Sequence, residues 1–434
     1  MSTDLDRYPR KVMHVLNSSS GGAALSTLGL IESFRRHGIA ACAVCHDSGN
    51  RQEREALRDA TDGEVLFTPL YWWNKKIRSP LWKRPLSELR QILRTGWARR
   101  SSALAAEFAR AHQADFIHTN TITTPEGGMA ARRLGLAHVW HLRELVGEGN
   151  PFRLPYEGPS FGRYMAAHCS KLVANSHVTA AQVRSWLSPE LLEVVPNGID
   201  ISRFRPKTGP AQPGRVVVAM VGNLTTRWKK HALFVDAATR VDRSLLIEWR
   251  IYGHDPSQGG TAKGDRYVDA LHAQLAAAGI QDRFVWPGHV PDPVEIMSQI
   301  DVLVHPADGE SFGRVVVEAM AAALPVVGVR GGGVGEIVEH GVTGLVADKD
   351  DPQGLVQGIE RLVGDPALRV SLGRAGRERA LAHYSLEACT AAMLRVYALA
   401  MARPLGVASA AAVSASQSRQ LDAQPAIVPQ SQGR

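Results

Sequence analysis

The chain is poor in cysteine: Cys42, Cys45, Cys169 and Cys389 are all it has in 434 residues. So sparse a set builds no disulfide framework, and a reducing, cytoplasmic setting is the expectation. Cys42 and Cys45 spell CxxC, but they sit in IAACAVCHD, which reads as a strand, and positions i and i+3 of a strand point to opposite faces. They are expected as core thiols, not as a redox pair or a zinc knuckle. Long apolar runs are also missing. Hydrophobic residues make up 44% of the chain, yet none of its runs approaches about eighteen residues, so a spanning helix is not expected. The opening MSTDLDRYPRK holds acidic residues and no apolar core, which is not the pattern of a signal peptide.

What is present is a repeating alternation. KVMHVLN is a short apolar strand, SSSGG a loop, and AALSTLGLIESFRRHG an amphipathic helix closed by Gly38. Further strands are expected at 65–68, 115–118, 138–142, 171–174 and 192–195, with helices between them. A second set runs through VVVAMVGNL, LLIEWRIYG, DRFVWPG, DVLVHP, LPVVGV and GLVA. Alternation of this kind gives parallel sheets covered on both faces. The length exceeds one ordinary core and points to two domains of near-equal size. The expected class is therefore α/β, with two Rossmann-like, doubly wound domains facing a central cleft. Their bounds are placed at 1–200 and 207–384, with the hinge in 197–213, where VVPNGIDISRFRP breaks the pattern. A last helix, 385–402, is expected to cross back onto the first domain. The tail, 404–434, is rich in Ala, Ser and Gln without a periodic apolar face and is expected to be disordered.

The most informative segment is 301–346. An apolar strand leads into a turn containing Glu310, and Glu318 follows eight positions later in a helix read as 312–323. Free N–H groups near Ser311, Phe312, Gly313 and Arg314 face an incoming anion, Gly313 allows close approach to the backbone, and the helix dipole adds positive potential. A carboxylate holds phosphate poorly but accepts two hydrogen bonds from a vicinal diol, so the two glutamates suit sugar hydroxyls on either side of a diphosphate.

This arrangement resembles the C-terminal half of the retaining glycosyltransferases of family four, the GT-B group that includes glycogen synthase and the lipopolysaccharide-type group 1 enzymes. The resemblance covers roughly 10–400 and is most specific in the paired-glutamate block. It implies that Glu310 contacts the donor sugar, Glu318 the ribose, and the backbone between them the distal phosphate. In VGNLTTRWKKHALFVDAA it implies that Lys229 neutralises the departing diphosphate. Relatives commonly carry Arg where this chain has Asn223, which leaves Arg227 as the nearby substitute, and Lys230 falls where Gly is frequent. Gly288, His289 and Val290 match the place where backbone groups hold the base, a contact that does not discriminate uridine from guanosine. In the first half, Ser20 and Gly21 are implied near the acceptor and Gly22 near the donor phosphates. His141 matches the cleft histidine, with Arg143 and Glu144 after it as acceptor contacts. Asn175 and Ser176 look like a strand end and a helix cap.

The implied activity is metal-independent transfer of a hexose, with retention, from a UDP- or GDP-sugar to a hydroxyl of a lipid-linked or polysaccharide acceptor. No cofactor is expected. Asp348 and Asp350 form a DxD string, but it lies in a turn before an ordinary helix start, and Lys229 with the helix dipole makes a metal unnecessary. Net charge is +8, which calls for an anionic partner. Nucleic acid is not expected, because no binding module is present and the basic residues cluster in one insertion. That insertion, 71–100, has nine Lys or Arg against Glu88 alone, interleaved with four tryptophans. It reads either as a helix lying on anionic lipid at the inner face of the cytoplasmic membrane or as a core-facing helix with a solvated basic side. Two rivals share the same pocket: a GT-B epimerase, and a nonenzymatic membrane adaptor that has kept a nucleotide pocket.

Overall fold

The computed structural model describes residues 7–73, 84–146, 154, 156–207, 209–255 and 262–405, with side chains described outside 84–95 and 262–265. The first half runs β1 (Lys11–Leu16), α1 (Gly21–Arg36), β2 (Ala40–Cys45), α2 (Arg51–Ala60), β3 (Val65–Phe67), α3 (Arg84–Ala111) and β4 (Phe116–Thr119). It continues through α4 (Glu126–Leu134), β5 (Ala137–Leu142), α5 (Gly158–His168), β6 (Lys171–Ala174), α6 (His177–Arg184) and β7 (Leu192–Val194). These strands form one parallel sheet in the order β3-β2-β1-β4-β5-β6-β7.

The second half opens with β8 (Val216–Val221), α7 (His231–Arg240), β9 (Ile247–Tyr252), α8 (Ala262–Ala278), β10 (Phe284–Gly288) and α9 (Pro293–Ser298). It continues with β11 (Val302–His305), α10 (Arg314–Ala321), β12 (Val326–Val329), α11 (Val334–Ile337) and β13 (Leu345–Ala347). Its parallel sheet has the order β10-β9-β8-β11-β12-β13. Helices α12 (Pro352–Gly364), α13 (Pro366–His383) and α14 (Leu386–Met401) complete the described chain.

The central strands are buried on both faces, which is why they read as unbroken apolar runs. In each sheet the strand order reverses beside the first strand of that half, between β1 and β4 and between β8 and β11, and ligands of wound α/β sheets collect outside the carboxyl ends at such points. Both reversals feed the elements described below.

The chain passes between the halves twice, side by side. Ile199 N donates to Tyr384 O, and Leu386 N donates to Ile199 O, both at 2.9 Å. Helix α14, capped by Ser385, then packs into the first half, where Met393 and Tyr397 join Val12, Phe34, Phe116 and Val139 in one apolar cluster.

Cys42 packs with Met13 and Val15, while Cys45 packs with Leu16 and Leu57 on the other face of β2. Burial pushes both thiols up to about 12, as expected of core residues. Of the insertion 71–100, residues 74–83 lie outside the described residues, as does almost all of the tail 404–434. Trp73 is a core residue: it stacks on Trp140 at 5.8 Å and abuts Tyr156 and Tyr164, so one of the insertion's four tryptophans serves packing. Trp72 and Trp97 are exposed. Among the described residues no helix is long and apolar enough to cross a membrane.

Candidate active site

Two helix N-termini meet between the halves. Helix α1 begins at Gly21, directly after the serine loop, and a Cβ on Gly22 would lie 4.0 Å from Cδ of Arg314, the first residue of α10. Arg314 also reaches Ser26 Oγ of α1 at 3.2 Å. The helix read as 312–323 starts two residues later than expected, at Arg314. The reason is Gly313, which caps it at φ +105, a left-handed backbone angle that suits glycine. Ser311 and Phe312 therefore lie in the loop, Phe312 buried and Ser311 half-buried, and the N–H groups that open the helix belong to Arg314 and Val315. Gly21 and Gly22, read as loop, open α1, and Ser20 stands at its N-cap with its hydroxyl on Ser18 rather than on the helix.

Glu310 sits in the loop after β11 and meets Lys229 Nζ directly. His305, at the end of β11 and almost fully buried, brings Nε2 to 3.6 Å from Glu310 Oε2. Burial pushes the Glu310 carboxyl up, but the Lys229 charge and His305 outweigh it and hold the group well below the usual carboxylate range. Eight positions on, Glu318 is buried in α10 and accepts from Arg314 Nε at 2.8 Å. Its carboxyl is raised, because burial exceeds the pull of Arg314. Lys230 pairs with Asp308 at 2.7 Å and adopts φ +59, the conformation glycine takes at that position without strain.

The Arg227 guanidinium, expected as the substitute for the missing arginine, lies over the Tyr267 ring, 5.3 Å from the centroid. Asn223 accepts from His254 N at 3.0 Å. Gly288, expected after its strand, is the last residue of β10 and accepts from Gly253 N at 2.9 Å. His289 beyond it is exposed, and Val290 leans on the apolar cluster containing Phe312.

In the opposite half His141 lies within β5, buried, with neither ring nitrogen bonded among the described residues. Burial holds it well below the usual imidazole range. Arg143 is buried too, its guanidinium on Asn197, and burial lowers it to about 10. Glu144 accepts from the Thr121 hydroxyl and from the backbone N–H of Ile122 and Arg143. Both side chains of the implied acceptor pair bond within the fold, although Arg143 Nε has no partner among the described residues. Asn175 directly follows β6, its Oδ1 without a partner among the described residues, and Ser176 caps α6 as expected.

Several contributors gave no sequence reading. Asp308 lies in the same loop as Glu310, and His305 ends the strand that leads into it. Gly331, Gly332 and Gly333 pack against that loop so closely that a Cβ on Gly332 would strike the Glu310 carbonyl, and three consecutive glycines were the available signal. Glu336 of α11 accepts from His177 N at 2.8 Å and Val178 N at 2.6 Å, capping α6 of the other half. Asp348 pairs with Arg330 at 2.7 Å, and Asp350 occupies a turn at φ +62.

Comparison with known proteins fits this geometry. Residues 20–203 match the model of Glycosyltransferase Family 4, and 202–379 match that of Glycosyl transferases group 1. The chain belongs to this family of GT-B glycosyltransferases. It is 32% identical over 263 residues to a D-inositol 3-phosphate glycosyltransferase of Saccharomonospora viridis, covering 57% of this chain and 60% of that protein. It is 29% identical over 211 residues to the lipopolysaccharide core biosynthesis mannosyltransferase LpcC of Rhizobium leguminosarum, covering 47% of this chain and 58% of that one. The alignment thus spans little more than half of each of these relatives. Among solved structures, Anabaena Alr3699/HepE in complex with UDP superposes with a TM-score of 0.71 at 21% identity, over 89% of this chain and 99% of that one. WaaG, a glycosyltransferase involved in lipopolysaccharide biosynthesis, gives 0.60 at 16%, over 89% and 99%. These two likenesses establish the shared fold.

Proposed function

We propose that the chain is a retaining, metal-independent hexosyltransferase that uses a UDP- or GDP-sugar and a hydroxyl of a lipid-linked or polysaccharide acceptor. The observation that carries the reading is the meeting of Lys229 with Glu310 beside the N-terminus of α10. In the chain without ligand each acid has its own cation, Glu310 with Lys229 and Glu318 with Arg314. A diphosphate arriving at the helix opening offers those cations a stronger anion and frees the carboxylates for sugar hydroxyls, Glu310 for the hexose and Glu318 for the ribose. Lys229 and the opening N–H groups then stabilise the charge that develops as the anomeric bond breaks. His141 faces the sugar from the other half.

The retaining route read here is a front-side one rather than the two-step route of a glycosidase: Glu310 and Glu318 come from one segment, and Glu144 is held by Thr121 and backbone, so none of these three acids is disposed as a nucleophile opposite the other two. The leaving phosphate oxygen accepts the acceptor's proton on the same face. Support for a nucleotide-sugar donor comes from Alr3699/HepE, whose crystal structures hold UDP and UDP-glucose. Exposed Trp72 and Trp97, in an insertion rich in Lys and Arg, favour a peripheral place on an anionic membrane, where a lipid-linked acceptor would lie. The test is a thermal-shift panel of UDP-, GDP- and ADP-sugars, followed by nucleotide release with and without lipid extract. Stabilisation by one donor and acceptor-dependent release support the reading, and no response to any donor rejects it.

A further inference from the structure

Three central strands of the first sheet change character along their length. On the face covered by α14, Val12, Phe116 and Val139 belong to the apolar core. Two residues nearer the carboxyl ends, and so on the same face, stand His14, His118 and His141, all buried. His14 and His118 are register partners with ring centroids 5.4 Å apart. The rings of His118 and His141 lie 5.6 Å apart and 9° from parallel.

Tyr397 of α14 lies 2.8 Å from His118 Nδ1, its hydrogen-bond partner among the described residues. The hydroxyl has no other acceptor among the described residues, and when it donates, Nδ1 accepts and the imidazole proton sits on Nε2. Burial lifts the phenol well above its ordinary range and holds the imidazole well below its own, so the neutral pair persists. His14 follows the same logic. The Asn120 amide nitrogen donates to the His118 carbonyl at 3.2 Å and therefore also donates to His14 Nδ1 at 3.3 Å, which leaves the His14 proton on Nε2. The Nε2 atoms of His14 and His118, both nitrogens of His141 and Asn120 Oδ1 have no partner among the described residues. Unmet buried polar groups cost about 1–3 kcal/mol each. The cluster lies buried toward the carboxyl ends of β1, β4 and β5, the ends near which ligands of this sheet type gather.

We propose that Tyr397 is a positioning residue for the cleft histidine: its hydroxyl locks His118 as the Nε2–H tautomer, and the locked ring fixes the plane in which His141 meets the donor sugar. This rests on the reading of His141 given above. It assigns the returning helix α14 a part in the site through the Tyr397 contact with His118.

Tyr397→Phe keeps the ring and removes only the oxygen. Ring nitrogen spectra of the 15N-labelled protein report the His118 tautomer directly, whatever the enzyme's activity. The expected result is a change from one tautomer to a mixture, with kcat about ten-fold lower and donor KM within about two-fold, because the nucleotide and phosphates bind on the other half. An unchanged tautomer overturns the proposal, as does an unchanged kcat at a lowered melting temperature, since Tyr397 is then packing alone. His118→Phe leaves a ring beside His141 without a nitrogen. It is expected to give the same loss, with no further loss when combined with Tyr397→Phe. Should Tyr397→Phe fail to fold, His118→Phe decides: loss of kcat at constant donor KM supports the proposal, and unchanged kcat overturns it. A wild-type chain inert toward every nucleotide-sugar rejects the functional reading, and the tautomer measurement still judges the Tyr397–His118 link separately.

Discussion

The hydroxyl of Ser176, on the first half, donates to the carbonyl of Ser311 in the donor-site loop of the second half, at 2.7 Å. Thr179 reaches the same carbonyl at 3.2 Å, and Glu336 caps the helix that both residues open. The loop that would hold a phosphate is therefore tied to the opposite domain by the N-terminus of α6. Glu336→Ala is expected to lower stability by about 1–2 kcal/mol, the usual value of a helix cap, and to loosen the two halves. Small-angle scattering should show a larger radius of gyration while donor titration still detects binding. An unchanged radius contradicts the tie.

The Lys229 and Glu310 side chains are each about four-fifths buried, so removing one leaves the other charge uncompensated. Lys229→Met is expected to destabilise by about 3 kcal/mol, Glu310→Gln by less, and the double variant by less than their sum. Urea unfolding of the four proteins measures the coupling. Both single variants should also lose at least about 100-fold in kcat. Additive stabilities contradict the pairing.

Much of this was open to reading from the residues. The strands are legible because parallel strands buried on both faces are continuous apolar runs, and the spacing of Glu310 and Glu318 survives folding because one loop and one helix carry both. The helix start was placed early because Phe312 is apolar, whereas Gly313 is the cap. Partner choice was not legible. Arg314 to Ser26 spans 288 positions and Glu336 to His177 spans 159, and such contacts depend on how the halves face each other. The contact of the Arg227 guanidinium with the Tyr267 ring was likewise not legible, since the two lie forty positions apart.

Gly332 tests the packing beneath the site. It holds φ +53, and a side chain there would meet the Glu310 carbonyl. Gly332→Ala is expected to cost at least about 2 kcal/mol and to weaken donor binding by displacing Glu310. A thermal melt with and without donor reads both effects. Wild-type melting and wild-type donor response would show that the loop does not depend on this approach.

Acid should undo the first half before the second. Burial lowers His14 and His138 to about 3 and His168 to about 4, and holds His118 and His141 well below the imidazole range, while the unfolded chain binds protons below about 6.5. These folded values are depressed, so the contribution is complete above about 6.5 and is lost as pH falls toward 4, at roughly 1.4 kcal/mol per pH unit for each imidazole. Urea midpoints followed from pH 7 to 4 should fall steeply, and His138→Gln should flatten the profile. A level profile across that window contradicts neutral burial.

The central claim is that a nucleotide-sugar's diphosphate docks at the opening of α10 and takes Lys229 from Glu310. A crystal structure with UDP-glucose or a GDP-hexose tests it directly. The account predicts phosphate oxygens within hydrogen-bonding distance of Lys229 Nζ and the backbone of Arg314 and Val315, with Glu310 turned to the hexose. Nucleotide bound elsewhere, or Lys229 still closed on Glu310 beneath a bound donor, would contradict it.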